Sequence, residues 1–204
     1  MSPKLKYMSQ KELNEVLRLH KLWVGFSKRG VRADLSRHDL TGLHLDGANL
    51  SRASLVRAKL DEANLSHTDF SWADLTGASM REAYLIRTDL YGTALDKADL
   101  TRAKLFGARL VYSSMIGTNL ERASINGQNV VDVDFTGANL SGADMMGTDF
   151  KKSRLLRANL SSSTLLGAIL IEADLMDANL KGACLKGAVM SKEQKARGIA
   201  LACE

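Results

Sequence analysis

From Leu35 to Met190 every fifth residue is apolar, without one break in phase. The series runs Leu35, Leu40, Leu45, Leu50 and on through Phe70 to Leu180, Leu185 and Met190. It makes 32 consecutive five-residue units in a chain of 204 residues. On an α-helix each step of five rotates the face by about 140°, so these residues would spiral onto every side. Fixed-period self-similarity over most of a chain marks a solenoid, in which each unit buries its apolar face against its neighbours. A uniform solenoid is a rod, so function is to be sought on its walls and ends.

Two residues before each apolar centre the side chain is small: Ala in 20 units, Thr or Ser in eight more. Between them lies Asp or Asn in 17 units, as in Ala-Asn-Leu at 48–50. The small-polar-large alternation has period two, so small and large residues share one face of an extended segment. The next two positions are mostly Ser, Thr, Gly or charged, which suits tight turns. A chain that turns a corner every five residues closes into a square coil. Parallel stacking of such coils pairs the backbone groups. All 13 glycines of the array lie two residues after a centre, and six share one 20-residue register: Gly47, Gly107, Gly127, Gly147, Gly167 and Gly187. That register favours four units per coil, hence about eight coils and a rod roughly 38 Å long.

The unit Ala-(Asp/Asn)-Leu-x-x resembles the pentapeptide-repeat consensus, and the resemblance covers residues 33–190. It implies a right-handed quadrilateral β-helix. The residues alone reach an all-β, square, parallel solenoid but not its hand. The best-known members of that family bind DNA gyrase and topoisomerase IV as acidic mimics of duplex DNA. Some also use loops that interrupt the coil.

The ends read differently. Ser9-Gln10-Lys11-Glu12 is a capping box. Leu13, Val16, Leu17, His20 and Trp23 follow at helical spacing, and Gly25 closes the segment. Residues 1–32 are therefore a helical cap and basic linker over the first coil, where His38 and Leu43 replace the usual Ala. Residues 191–204 read as a short C-terminal helix, with Ile199 and Leu201 facing the last coil. Cys184 and Cys203 are the only cysteines. Two reduced thiols are expected, and a bridge pinning the tail is the alternative. No apolar run resembles a signal peptide or a membrane span, which makes the cytoplasm the expected compartment. The Asn-Leu-Ser sequons at 49, 64, 139 and 159 are products of the repeat itself.

Net charge is +5, with +6 on residues 1–32, −2 on 33–190 and +1 on the tail. Sorted by 20-residue phase, the four walls carry −1, −1, +1 and −1. No wall has the acidic field of a polyphosphate mimic, and no break interrupts the repeat. The basic N-terminal end lacks an aromatic stacking platform, which argues against nucleic-acid binding. Catalytic motifs such as Gly-x-Ser-x-Gly, the P-loop and His-Glu-x-x-His are absent. His38, His44 and His67 lie near the first two coils without a carboxylate or thiol spaced to complete a metal site. No cofactor and no enzyme activity are expected.

The position after each centre should point outward. From the third coil on it is often large, on the adjacent third and fourth walls: Ile86, Tyr91, Phe106, Val111 and Val131. Trp72, Tyr84 and Tyr112 join that region. The equivalent column of the second wall, Thr41 to Lys181, holds no large apolar residue. A one-sided apolar strip reads as an interaction surface, although β-propensity alone also favours such residues in stacked strands. Gln128 and Val133 are bulky at the small position and should distort the coil. The expected function is a non-enzymatic interaction rod that binds a protein, or its own copy through the strip or the last coil. The second reading is a topoisomerase modulator of the fluoroquinolone-protection type.

Overall fold

The computed structural model describes residues 5–196. Parallel bridges join residues 20 apart, from Asp34 with Ser54 to Ile169 with Val189. Four units therefore make one coil. The first coil spans 33–52 and the eighth 173–192, and the walls are numbered from the Leu35, Leu40, Leu45 and Leu50 sides.

One unit shows how five residues satisfy five backbone donors. Ala73 N–H donates to Phe70 O across the corner at 2.9 Å, and Asp74 N–H to Ala53 O of the preceding coil at 3.0 Å. Leu75 N–H and Gly77 N–H donate to Ala94 O and Asp96 O of the next coil, each at 2.8 Å. The fifth donor, Thr76 N–H, goes to the Asp74 carboxylate at 3.0 Å. All 17 Asp and Asn residues at this position accept the N–H two residues on. The carboxylates are thus turn residues, an Asx cap repeated along the rod.

Each corner places its second turning residue in the left-handed region, the type II signature. All 31 corners from Arg37 to Gly187 do so, 13 with Gly and 18 with other residues. The centres fill the interior, and all but Leu175 and Leu180 of the last coil are buried. Burying each is worth about 1.5–3 kcal/mol. Where Thr replaces the small Ala, its hydroxyl donates to a carbonyl 23 residues earlier, as Thr68 does to Leu45 O at 2.8 Å. Ser113 Oγ is buried without a partner.

The first coil is capped twice. Strand β1 (Lys6–Tyr7) pairs in parallel with β2 (His38–Asp39), adding a rung that the sequence pattern did not announce. Helix α1 (Gln10–Val24) opens on the Ser9 capping box and ends at Gly25. Leu13 and His20 are buried, and Val16 and Leu17 pack on the core. Gln10 holds both backbone groups of His44, at 2.7 Å and 3.3 Å. His20 Nε2 contacts Ser51 O at 3.0 Å and Nδ1 accepts from Ala33 N–H at 3.0 Å, which defines the Nε2–H tautomer. At the far end, α2 (Lys192–Ala196) sets Gln194 Nε2 on Leu170 O at 2.7 Å and Ala173 O at 3.0 Å. Ile199, Leu201 and Cys203 lie outside the described residues.

The ladder opens beside two bulky substitutions. Next to Leu43, His44 makes no bridge to Asn64, and Gln10 takes its place. At Gln128 the corner bond to Ile125 is missing, the one gap among the 31 corners, and Arg109 loses its bridge to Asn129. The Leu110 and Tyr112 N–H groups have no rung below them, whereas Leu95, Leu100 and Leu105 keep theirs. The buried Gln128 amide bonds Asn126 O at 3.3 Å instead. An interior slot sized for Ala cannot take a longer side chain without displacing the strand that carries it.

Candidate interaction surface

The strip residues divide into three groups. Trp72, Tyr91 and Tyr112 form one cluster on the fourth wall. Tyr91 stands edge-on between the other two, with centroids 5.4 Å from each. The ring of Trp72 lies over Gly92, where an added Cβ would come within 2.6 Å of it. Glycine at 92 makes room for the indole. The Arg109 guanidinium covers Tyr91 at 4.1 Å and is also bonded to Asp89 at 3.1 Å. Val111 and Val131 continue the column, half-buried.

On the third wall Tyr84 does not join the cluster; Lys104 Nζ sits 4.5 Å above its ring. Ile86 is half-buried, and Phe106 in the next coil is 62% exposed. The corners of this wall from Gly107 to Gly187 are all glycine, leaving Phe106 and Met146 proud of a bare edge. Sequence reasoning named these residues but missed the cations over Tyr84 and Tyr91. Their signal was present, since Lys104 and Arg109 stand 20 and 18 residues after the rings they cover.

Among the described residues, nineteen other than glycine have positive φ, and Phe26, Trp72 and Tyr112 are the large apolar ones. A bulky side chain in the left-handed region costs on the order of 1 kcal/mol relative to glycine. Trp72 and Tyr112 carry that cost while more than half exposed, at 56% each.

Charges on the first, second and fourth walls pair between coils. Arg81 pairs with Asp61 at 2.8 Å and Arg102 with Glu82 at 3.3 Å, each one coil away. Lys59–Asp39, Arg109–Asp89 and Arg154–Asp134 repeat the spacing. Burial opposes ionisation of Asp61, but the hydrogen bonds from Arg81 and Ser79 outweigh it and hold its carboxyl below the usual range. Asn119, Asn139, Asn159 and Asn179 form a side-chain amide ladder with steps of 3.0–3.1 Å. Among the described residues no group of three or more His, Cys, Asp or Glu is placed to hold a metal ion, and no helix is long and apolar enough to cross a membrane.

Comparison with known proteins places this geometry. HetL, a pentapeptide repeat protein involved in heterocyst differentiation regulation from the cyanobacterium Nostoc sp. strain PCC 7120, is 28% identical; the match covers 91% of this chain and 98% of that one, with a TM-score of 0.45. A trypsin-treated form of QnrB1, a plasmid-mediated fluoroquinolone resistance protein, is 17% identical over 83% of this chain and 98% of its own, with a TM-score of 0.44. Rfr23, from the cyanobacterium Cyanothece 51142, is 21% identical over 88% and 96%, with a TM-score of 0.35. No curated protein sequence matches the chain. The family model for pentapeptide repeats matches eight copies, over residues 31–67, 63–102, 113–151, 129–165 and 153–191. The chain therefore belongs to the pentapeptide-repeat family, and its four-sided coil is that family's right-handed quadrilateral β-helix.

Proposed function

We propose that this protein is a non-catalytic, cytoplasmic interaction rod that docks a protein partner, or a second copy of itself, on the aromatic corner of its second to fourth coils. One observation carries the reading. Trp72 and Tyr112 occupy corners where glycine is the least strained residue, and both hold their rings out to solvent. β-Propensity explains apolar residues along stacked strands, but it does not explain them at left-handed corners. Aromatic side chains of this kind are the residues on which interfaces most often anchor. Cofactor binding forms no part of the reading. Binding to DNA gyrase as a DNA mimic draws no support from the walls, most of whose carboxylates are engaged in turns and in pairs between coils.

The test replaces Trp72 and Tyr112 by Gly together. The change removes both rings and relaxes both corners, so lost binding does not report lost folding. Affinity capture and light scattering should show a complex or dimer in the natural protein that the double variant loses. A complex retained in full by the variant would refute the assignment. Equal inhibition of gyrase supercoiling by both proteins would favour the topoisomerase reading.

A further inference from the structure

A second exposed aromatic lies at the N-terminal cap, beside a cleft one rung from the aromatic corner: Arg52 and Trp72 hold successive corners of the fourth wall, and Arg52 N–H donates to Ser71 O at 2.8 Å. Phe26 is 93% exposed and has φ +58°. The loop that carries it is tightly held. Gly25 N–H donates to Lys21 O, Phe26 N–H to Trp23 O, Ser27 N–H to Leu22 O, Gly30 N–H to Ser27 O and Val31 N–H to Leu19 O, all at 2.9–3.1 Å. Gly30 passes so close to Trp23 that an added Cβ would lie 2.1 Å from its backbone nitrogen. The loop backbone that presents the ring is therefore held in place. An anchor ordered before binding has already met much of the entropy cost of association.

Beside it opens a cleft of about 420 Å³ lined by Trp23, Val24, Phe26, Ser27, Ser51 and Arg52. That volume is within the usual range for a ligand pocket. Trp23 stacks on buried His20 at 5.5 Å, which holds the indole wall. Cations gather near it: Arg52 lines the cleft, Arg32 Nε donates to Arg52 O at 2.5 Å, and Lys28 and Arg29 follow the lining residue Ser27 in sequence. The only carboxylates among residues 1–32, Glu12 and Glu15, belong to the early turns of α1. Glu12 closes the capping box and Glu15 is paired with Arg18 at 2.7 Å. The cations at the opposite end of the helix are left without acidic neighbours on that segment.

We infer that this cleft docks an acidic peptide segment of another protein, with an apolar side chain seated against Phe26 and Trp23 and carboxylates facing Arg52, Arg32, Lys28 and Arg29. The apolar walls supply the anchor and the cations supply sign selection.

The test uses the full chain and fluorescence anisotropy. The probe is a labelled twelve-residue peptide of Asp and Glu around a central Leu-Trp-Leu. Two controls replace its acids by Lys or its centre by Gly-Ser-Gly. The acidic apolar peptide should bind at least tenfold more tightly than either control, and more weakly as salt rises. Phe26→Gly suits the left-handed backbone and should cut affinity at least tenfold without lowering Tm. Arg52→Glu should do the same while Trp72→Gly does not. Failure of the acidic peptide to bind, equal binding of the Gly-Ser-Gly peptide, or full affinity in Phe26→Gly would overturn the inference. Binding only to phosphatidylserine vesicles would overturn it too, by assigning the basic apolar end to a membrane surface.

Discussion

At the scale of single residues, the fold rests on side chains that complete backbone hydrogen bonding. Asn139 shows this most clearly. Its carbonyl oxygen accepts from Ser141 N–H at 3.2 Å and from Asn159 Nδ2 at 3.1 Å, while its own amide donates to Asn119 at 3.0 Å. Asn139→Ala removes all three, and urea unfolding should show a loss of about 1–3 kcal/mol. Ser113 is the converse case. Its buried hydroxyl has no partner, so Ser113→Ala should raise stability by about 1 kcal/mol in the same assay. His20 links the cap to pH. Burial lowers its pKa from the ordinary 6.5, and protonation would abolish the bond that Nδ1 accepts from Ala33 N–H. Below about pH 6.5 the unfolded chain takes up a proton that the folded chain resists. The stability His20 contributes is thus full above that pH and is lost as pH falls toward the folded pKa. Thermal unfolding between pH 7.5 and 5 should show the decline, and His20→Gln should flatten it. The sequence made His20 legible as part of an apolar helical face. Its two bonds were not legible, because they join residues 13 and 31 positions apart through the docking of α1.

At the scale of elements, periodicity did most of the work. The capping box at Ser9, the helix closed by Gly25 and the 20-residue coil could all be read directly, since each depends on local spacing. Strand β1 could not be. Lys6-Tyr7 is two residues long and exposed, with no pattern of its own, and it forms only because the open edge of the first coil offers it partners. The aromatic strip was legible as a list of residues, but its division into a Trp72–Tyr91–Tyr112 cluster and a separate Tyr84 depended on the vacant corner at Gly92. The bulky Gln128 was legible as an irregularity, and the structure shows what it does: the rungs under Gly107, Leu110 and Tyr112 are open beside it. Those amides should exchange with solvent at least tenfold faster than those of Leu90 and Leu95. Gln128→Ala should restore the rung and slow them, as hydrogen-exchange mass spectrometry or NMR would register. Unchanged exchange would mean that the opening has another cause.

At the scale of the molecule, the chain is a stack whose stability is the sum of coil and interface terms. Leu105 is fully buried near the middle of the rod. Leu105→Asp places an unpaired carboxylate in a dry interior and should cost more than about 4 kcal/mol, seen as a lost or split thermal transition. The same architecture leaves only walls and ends for recognition. Among the described residues, the aromatic corner and the cationic cap cleft are the places where exposed Phe, Trp and Tyr side chains accept an unfavourable backbone. Everything depends on the coil holding 20 residues, neither 15 nor 25. Side-chain amide NOEs from Asn139 measure this most directly. The coil predicts cross-peaks to Asn119 and Asn159, both one rung of about 4.8 Å away. Cross-peaks that instead join Asn139 to residues 15 or 25 positions away would contradict the four-sided coil and every surface built on it.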